Sequence, residues 1–190
     1  MHDVQAARGA SLSDQPPTGR PRLPLLLAVA TTVVAGDVLT KWLAVDRLAH
    51  RDPVEVIDGA LTLRLVRNPG AAFGMAAGLT VVLTLVAAVV VAMILRAAAR
   101  LRSAGWAVAL ALVLGGAVGN LLDRLFRDPG PLRGRVIDFL ELPHWPVFNL
   151  ADSAIVSGGV LMVLLSLRGV QYDGRRASAQ EPGTQGTEQQ

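Results

Sequence analysis

Cysteine is absent from this chain of 190 residues, which excludes disulfides, a thiolate metal site and a cysteine nucleophile. Histidine occurs only three times, scattered through the sequence, so a zinc site is not expected. Lysine is nearly missing, because Lys41 stands alone against 17 arginines. The resulting pI near 10.5 suits contact with anionic lipid at least as well as nucleic acid. Aromatic residues make up only 4% of the chain, and no aromatic-laced basic patch supports a nucleic-acid partner. No internal repeat of solenoid period is present. Hydrophobic residues are what abounds, at 52% with a mean hydropathy of +0.44 against 17% charged. A soluble chain of this length seldom has that balance, and a membrane protein is the class indicated.

Charged residues are absent from Asn68 to Leu95 and again from Ser103 to Leu122. Each stretch is long enough for one span, since about 20 apolar residues cross the hydrocarbon core. Two further runs, Leu23 to Gly36 and Ser153 to Leu167, hold only 14 and 15 uncharged residues. Both reach spanning length by admitting charge. Extending the first to about Val45 takes in Asp37 and Lys41, and starting the last near Phe148 takes in Asp152. Ionisable groups at membrane depth are costly and mark function.

The fold expected is therefore an all-α polytopic membrane protein of four transmembrane helices over residues 23–168, with a small extracytoplasmic β-sheet. Residues 1–22 and 169–190 are polar tails that should not pack. The sheet is expected in the loop of about 46–74, where Ala60-Leu-Thr-Leu-Arg-Leu-Val-Arg67 alternates apolar and polar positions as a half-buried strand does. Four spans put both termini on one side, with the polar groups gathered at the other. Nine arginines fall on the terminal side and eight on the other, so the usual charge rule barely decides the orientation. The short link holding Arg96, Arg100 and Arg102 without an acid favours cytoplasmic termini and an extracytoplasmic site. An alternative for Leu23 to Ala35 is the apolar region of a cleaved signal peptide.

Asp37 and Lys41 are four apart, on one helix face with the acid first, an order that favours an ion pair. Such a pair can simply neutralise itself. Gly115, Gly116 and Gly119 offer the small-residue spacing of close helix packing in membranes. Asn120, Asp123 and Arg124 follow on one face at the end of span 3, where an Asp–Arg pair alone would serve as an interface anchor. Asp138 lies between apolar neighbours in Val136-Ile-Asp-Phe-Leu140. Asp152 follows Asn149, which is placed to cap the last helix. A helix start favours a carboxylate, but two acids in a low-dielectric cleft cannot both ionise cheaply and would share a proton. One then takes a proton from water while the other protonates or polarises a scissile carbonyl. Two other chemistries use the same residues: a transporter with Asp37, Lys41, Asp138 and Asp152 as a relay, and a lipid transferase holding Mg²⁺ on the acids.

From Leu23 to Leu167 the chain resembles the lipoprotein signal peptidases, the signal peptidase II family. The resemblance rests on Asp37-x-x-Thr-Lys41, Asn68-Pro-Gly-Ala-Ala-Phe-Gly74, Gly115-Gly-Ala-x-Gly-Asn-x-x-Asp-Arg124, Val136-x-Asp-Phe139 and Phe148-Asn-x-Ala-Asp152, five motifs in order. It implies a multi-pass enzyme of the bacterial cytoplasmic membrane, an aspartic endopeptidase without cofactor or metal. Its substrates would be diacylglyceryl-modified prolipoproteins, cut just before the lipidated cysteine, and its other partner membrane lipid, with the protein a monomer. Carried over by position, Asp138 and Asp152 are the catalytic pair and Asp123 belongs to the supporting shell. Asn120, Arg124, Asn149 and Ala151 line the site. Asn68, Gly70, Ala72 and Phe73 belong to a loop closing over the lipopeptide, and Asp37 and Lys41 brace the cleft. The retained first helix counts against a cleaved signal peptide. The chain departs from the family's pattern in the Arg- and Pro-rich connector from Phe126 to Arg135 and the short link from Glu141 to Val147.

Overall fold

The apolar runs fold into four helices in the computed structural model, which describes residues 20–70 and 80–173. They are α1 (Leu23–Leu48), α2 (Thr80–Ala98), α3 (Ala104–Phe126) and α4 (Leu150–Leu167). Each is long and apolar enough to cross a membrane, because 18 to 26 residues at a rise of ~1.5 Å each cover about 27 to 39 Å. The first and last helices do admit charge. Asp37 and Lys41 lie inside α1, and Asp152 lies in the first turn of α4.

α3 is the central helix. Half of its most apolar stretch is buried, against 17% for each of the other three. Small residues make that possible, since Ala107, Ala109, Ala111, Gly115, Gly116, Ala117 and Gly119 are all buried on it. A Cβ on Gly115 would lie 2.9 Å from the Ala30 carbonyl oxygen of α1, and one on Gly116 would run into the Ala151 carbonyl oxygen of α4. Gly158 of α4 returns the contact, since a Cβ there would lie 2.7 Å from the Ala109 oxygen. The helices thus meet backbone to backbone, where dispersion replaces the missing hydrophobic drive. Gly116→Ala must displace a main chain that has no rotamer to escape into, so it destabilises the bundle by about 1–3 kcal/mol. Thermal unfolding in detergent checks this, and an unchanged midpoint contradicts it. Leu39, Trp42, Val86, Met93 and Val163 stay exposed and face the acyl chains of a bilayer.

Three strands cover one end of the bundle: β1 (Val54–Ile57), β2 (Leu61–Asn68) and β3 (Val136–Glu141), antiparallel in the order β1-β2-β3. The Asp58-Gly59 turn joins the first two, with Gly59 at φ 64°, a conformation glycine adopts without strain. The sequence marks β2 directly but gives no strand signal for β3. All of Val136, Ile137, Asp138 and Phe139 are buried, and a strand covered on both faces loses its alternation. Ile137 and Phe139 pack with Ala44, Val45 and Leu48 of α1 and with Leu63 and Leu65 of β2, which seats the sheet on the bundle. Asp138, between them in a strand whose side chains alternate, points the other way, paired with Val66 across the ladder.

The connector from Phe126 to Arg135 is an ordered turn. Gly134 N–H donates to the Arg124 carbonyl and Arg135 N–H to that of Asp128, at 3.0 and 3.1 Å. A Cβ at Gly134 would strike the Asp123 carbonyl. Thr84 Oγ1 donates to the Leu132 carbonyl at 3.0 Å, tying the connector to α2. The link after β3 closes as tightly, with Phe148 N–H donating to Leu140 O at 2.9 Å and Leu140 N–H to Phe148 O at 2.9 Å.

Candidate active site

The chemistry begins with a buried cation. Lys41 is 1% exposed, and an ammonium taken out of water needs an acceptor for each proton. It finds three: Asp37 Oδ2 at 2.7 Å, Asp123 Oδ2 at 3.0 Å and Asn120 Oδ1 at 2.9 Å. The i,i+4 pair of α1 therefore does more than neutralise itself. Asp37 Oδ1 accepts from Ala151 N–H in the first turn of α4 at 3.0 Å, where the helix end favours negative charge. Asp123 Oδ2 accepts from Ile137 N–H of β3 at 3.1 Å, and its Oδ1 takes the guanidinium of Arg127. One lysine and two acids thus fix α1, α3, α4 and β3 relative to one another.

Two carboxamides carry that order outward. Lys41 can only donate, so its contact fixes which end of Asn120 is oxygen and turns the amide nitrogen toward Asp152 Oδ1 at 2.7 Å. Asn149 is the N-cap of α4, its oxygen accepting from Asp152 N–H at 2.9 Å. That assignment points its nitrogen at Asp138 Oδ1, 2.6 Å away, with Asn120 Oδ1 at 3.2 Å. Asp152 Oδ2 closes the capping box on Asn149 N–H at 3.2 Å. The second oxygen of Asp138 accepts from Asn68 Nδ2 at 2.8 Å. Asn68 Oδ1 in turn holds Gly70 N–H at 2.9 Å. Gly70 has φ 115°, which a side chain would strain. Both acids therefore sit in fixed cradles of donors, and Asn149 touches both.

Their surroundings differ. Asp138 is 2% exposed, whereas Asp152 is only half-buried. Burial is the main force on Asp138 and pushes its carboxyl up, and the charge of Asp152 adds to it. Hydrogen bonds from Asn68 and Asn149 and the charge of Lys41 oppose them, leaving Asp138 at about 6 against an ordinary 3.8. Below pH 3.8 the group is protonated whether the chain is folded or not. Between 3.8 and about 6 only the folded form keeps the proton, so stability falls as pH rises through this window. Above it the full cost of ionising Asp138 is present, about 3 kcal/mol at ~1.4 kcal/mol per unit. Thermal stability of the wild type relative to Asp138→Asn is expected to decline between pH 4 and 7. A constant difference over that range contradicts the assignment.

Arg124 donates from Nη1 to the Asn120 carbonyl at 3.2 Å and lies within electrostatic reach of Asp152, Asp138 and Asp123. A groove of about 790 Å³ leads away from Asp138. One face of β2, with Thr62, Arg64, Val66 and Asn68, forms one wall, and the Glu141–Val147 link forms the other. Of the residues singled out in the sequence, Asp37, Lys41, Asn68, Gly70, Asn120, Asp123, Arg124, Asp138, Asn149, Ala151 and Asp152 fall in or around this network. Ala72 and Phe73 lie outside the described residues. Arg127 was not anticipated, although its place four residues after Asp123 is the spacing of a helical ion pair.

By sequence, the family model of signal peptidase (SPase) II matches residues 29–168. The chain belongs to the signal peptidase II family. That membership makes it an aspartic peptidase and sets aside the transporter and metal-dependent transferase. A lipoprotein signal peptidase of Mycobacterium avium (strain 104) is 54% identical over 170 residues, 88% of this chain and 92% of the relative. One from Streptomyces coelicolor (strain ATCC BAA-471 / A3(2) / M145) is 46% identical over 156 residues, 82% and 76% of the two chains. A bacterial membrane enzyme solved by the in meso method at 1.9 Å resolution superposes with a TM-score of 0.65 at 27% identity, over 76% of this chain and 94% of that one. The four-helix bundle with its small sheet is thus a signal peptidase II fold, and the five motifs read from the sequence mark a true relationship.

Proposed function

We propose that this protein removes signal peptides from diacylglyceryl-modified prolipoproteins, with Asp138 and Asp152 as the peptidase dyad. The observation that carries the assignment is Asn149, which donates its side-chain nitrogen to the Asp138 carboxylate and its backbone N–H to that of Asp152, bridging two acids of unequal burial at the end of a membrane bundle. Asp152, the less buried of the two, takes a proton from water as the water attacks the scissile carbonyl. Asp138, buried and inclined to keep its proton, donates to the carbonyl oxygen. The carbon–nitrogen bond then breaks as the proton gained by Asp152 passes to the leaving amine, the new N-terminus at the lipidated cysteine, and a hydroxyl of the tetrahedral intermediate returns its proton to Asp138 as the new carboxyl group forms. Asn120 and Asn149 hold the two acids at fixed angles, so little reorganisation accompanies the proton transfers.

The site lies where α1, α3 and α4 meet the sheet, at the membrane boundary. A signal helix can enter sideways from the bilayer while the acyl chains remain in lipid. In this reading the Arg96–Arg102 link and both tails are cytoplasmic, the sheet is extracytoplasmic, and the enzyme acts as a monomer. The segment that begins at Asn68 and Gly70 and continues through Ala72 and Phe73 closes over the bound lipopeptide. Purified protein in detergent is expected to cut a diacylglyceryl-modified prolipoprotein before its lipidated cysteine at a rate that excess chelator leaves unchanged. Loss of cleavage on chelation, restored by Mg²⁺, contradicts a mechanism run by two carboxyl groups.

A further inference from the structure

The Phe126–Arg135 connector builds a second concave site, separate from the groove that leads to Asp138. A cavity of about 420 Å³ lies at the end of α3, lined by Arg67 of β2, Arg127 and Arg135 of the connector, Phe126 and Ile137. Asp128 is the one acid in its wall. Arg67 and Arg135 are exposed and make no ion pair among the described residues. Arg127 gives its Nε to Asp123 and also lines the cavity. Ile137 lines this cavity and Asp138 the groove, so the two sites occupy opposite faces of β3.

Position and chemistry together select the ligand. Phe126 ends a spanning helix and is 79% exposed, so the cavity mouth stands at the height of lipid headgroups. Guanidinium groups match phosphate through paired N–H donors. Basic residues are also split nearly evenly between the two membrane faces, nine to eight, where membrane proteins ordinarily leave one face poor in them. The arginines at this end therefore need a reason other than orientation. The diacylglyceryl group of a prolipoprotein carries no phosphate and cannot be that reason.

We propose that the Arg67–Arg127–Arg135 cavity binds the phosphodiester headgroup of an anionic phospholipid from the surrounding leaflet. The bound phosphate takes guanidinium N–H groups of Arg127 that Asp123 does not use and so pins the side chain between two anions, the second of which, Asp123, also holds Lys41 and the Ile137 amide. Occupancy thereby stiffens the frame behind the catalytic acids.

The test reads binding, not cleavage. Full-length protein is placed in phosphatidylcholine bicelles with increasing phosphatidylglycerol, and the unfolding midpoint is followed by tryptophan fluorescence. The midpoint is expected to rise with phosphatidylglycerol, less so at high salt. Arg67→Gln/Arg135→Gln is expected to need on the order of tenfold more anionic lipid for the same rise, with its midpoint in pure phosphatidylcholine unchanged. Arg47→Gln/Arg51→Gln removes equal charge from the same end and should behave as wild type. No rise in the wild type, or an equal loss in both double variants, overturns the proposal. An equal rise with inorganic phosphate alone also overturns it, by showing an anion site with no demand for lipid.

Discussion

Asp138→Asn and Asp152→Asn each lower the cleavage rate by roughly 10³-fold or more while the protein stays folded and inserted, because neither remaining acid can both accept and return a proton. The geometry says why folding survives. Both oxygens of Asp138 accept hydrogen bonds, from Asn149 and Asn68, so an amide there sets one donor against another. That loss is offset by removing a carboxyl whose ionisation burial disfavours. Asp152→Asn gives up the same kind of contact at a more open position. The double variant is expected to be no slower than either single one, since groups that act as a unit lose their whole effect at the first substitution. Asp123→Asn behaves differently. It loosens the contacts to Lys41, Arg127 and the Ile137 amide and should leave residual cleavage. Full loss in Asp123→Asn with activity retained in Asp138→Asn contradicts the assignment of roles.

The second large effect belongs to Lys41. Lys41→Met leaves the carboxylates of Asp37 and Asp123, 0% and 5% exposed, without their shared cation. Removing one partner from a buried ionic cluster costs about 3–5 kcal/mol, and a fall of the unfolding midpoint in detergent measures it. Cleavage falls as well, because Asn120 loses the donor that aims its nitrogen at Asp152. The two consequences separate in the variant Lys41→Met/Asp37→Asn/Asp123→Asn, which removes the buried charges together with the lysine. Stability should recover in large part and activity should not. Parallel recovery of both would mean that Lys41 only neutralises the acids.

Much of this was legible in the sequence, for identifiable reasons. The four helices announced themselves because a bilayer demands length and apolarity from each one separately. The Asn149 cap was legible because capping is local, and the central place of α3 was foreshadowed by Gly115, Gly116 and Gly119. β3 was not legible, since its four buried residues look alike from both faces. The contact of Asn68 with Asp138 was hidden for the same reason. It depends on the register that sets Val66 opposite Asp138 and Asn68 opposite Val136, which no local pattern encodes. Lys41 could be paired with Asp37 from their spacing, but Asp123 and Asn120 reach it only through the packing of α1 on α3. The Phe126–Arg135 connector stood out as unusual in composition, and its folded shape, fixed by Gly134 against the end of α3, came from the structure alone.

The most direct test of the dyad is single-turnover cleavage of a diacylglyceryl-modified prolipoprotein by wild type, Asp138→Asn, Asp152→Asn and the double variant. Thermal unfolding of each protein is recorded in the same detergent, with excess chelator throughout. Cleavage before the lipidated cysteine is expected from the wild type alone, with all four proteins unfolding cooperatively. Cleavage by either single variant near the wild-type rate would contradict the dyad.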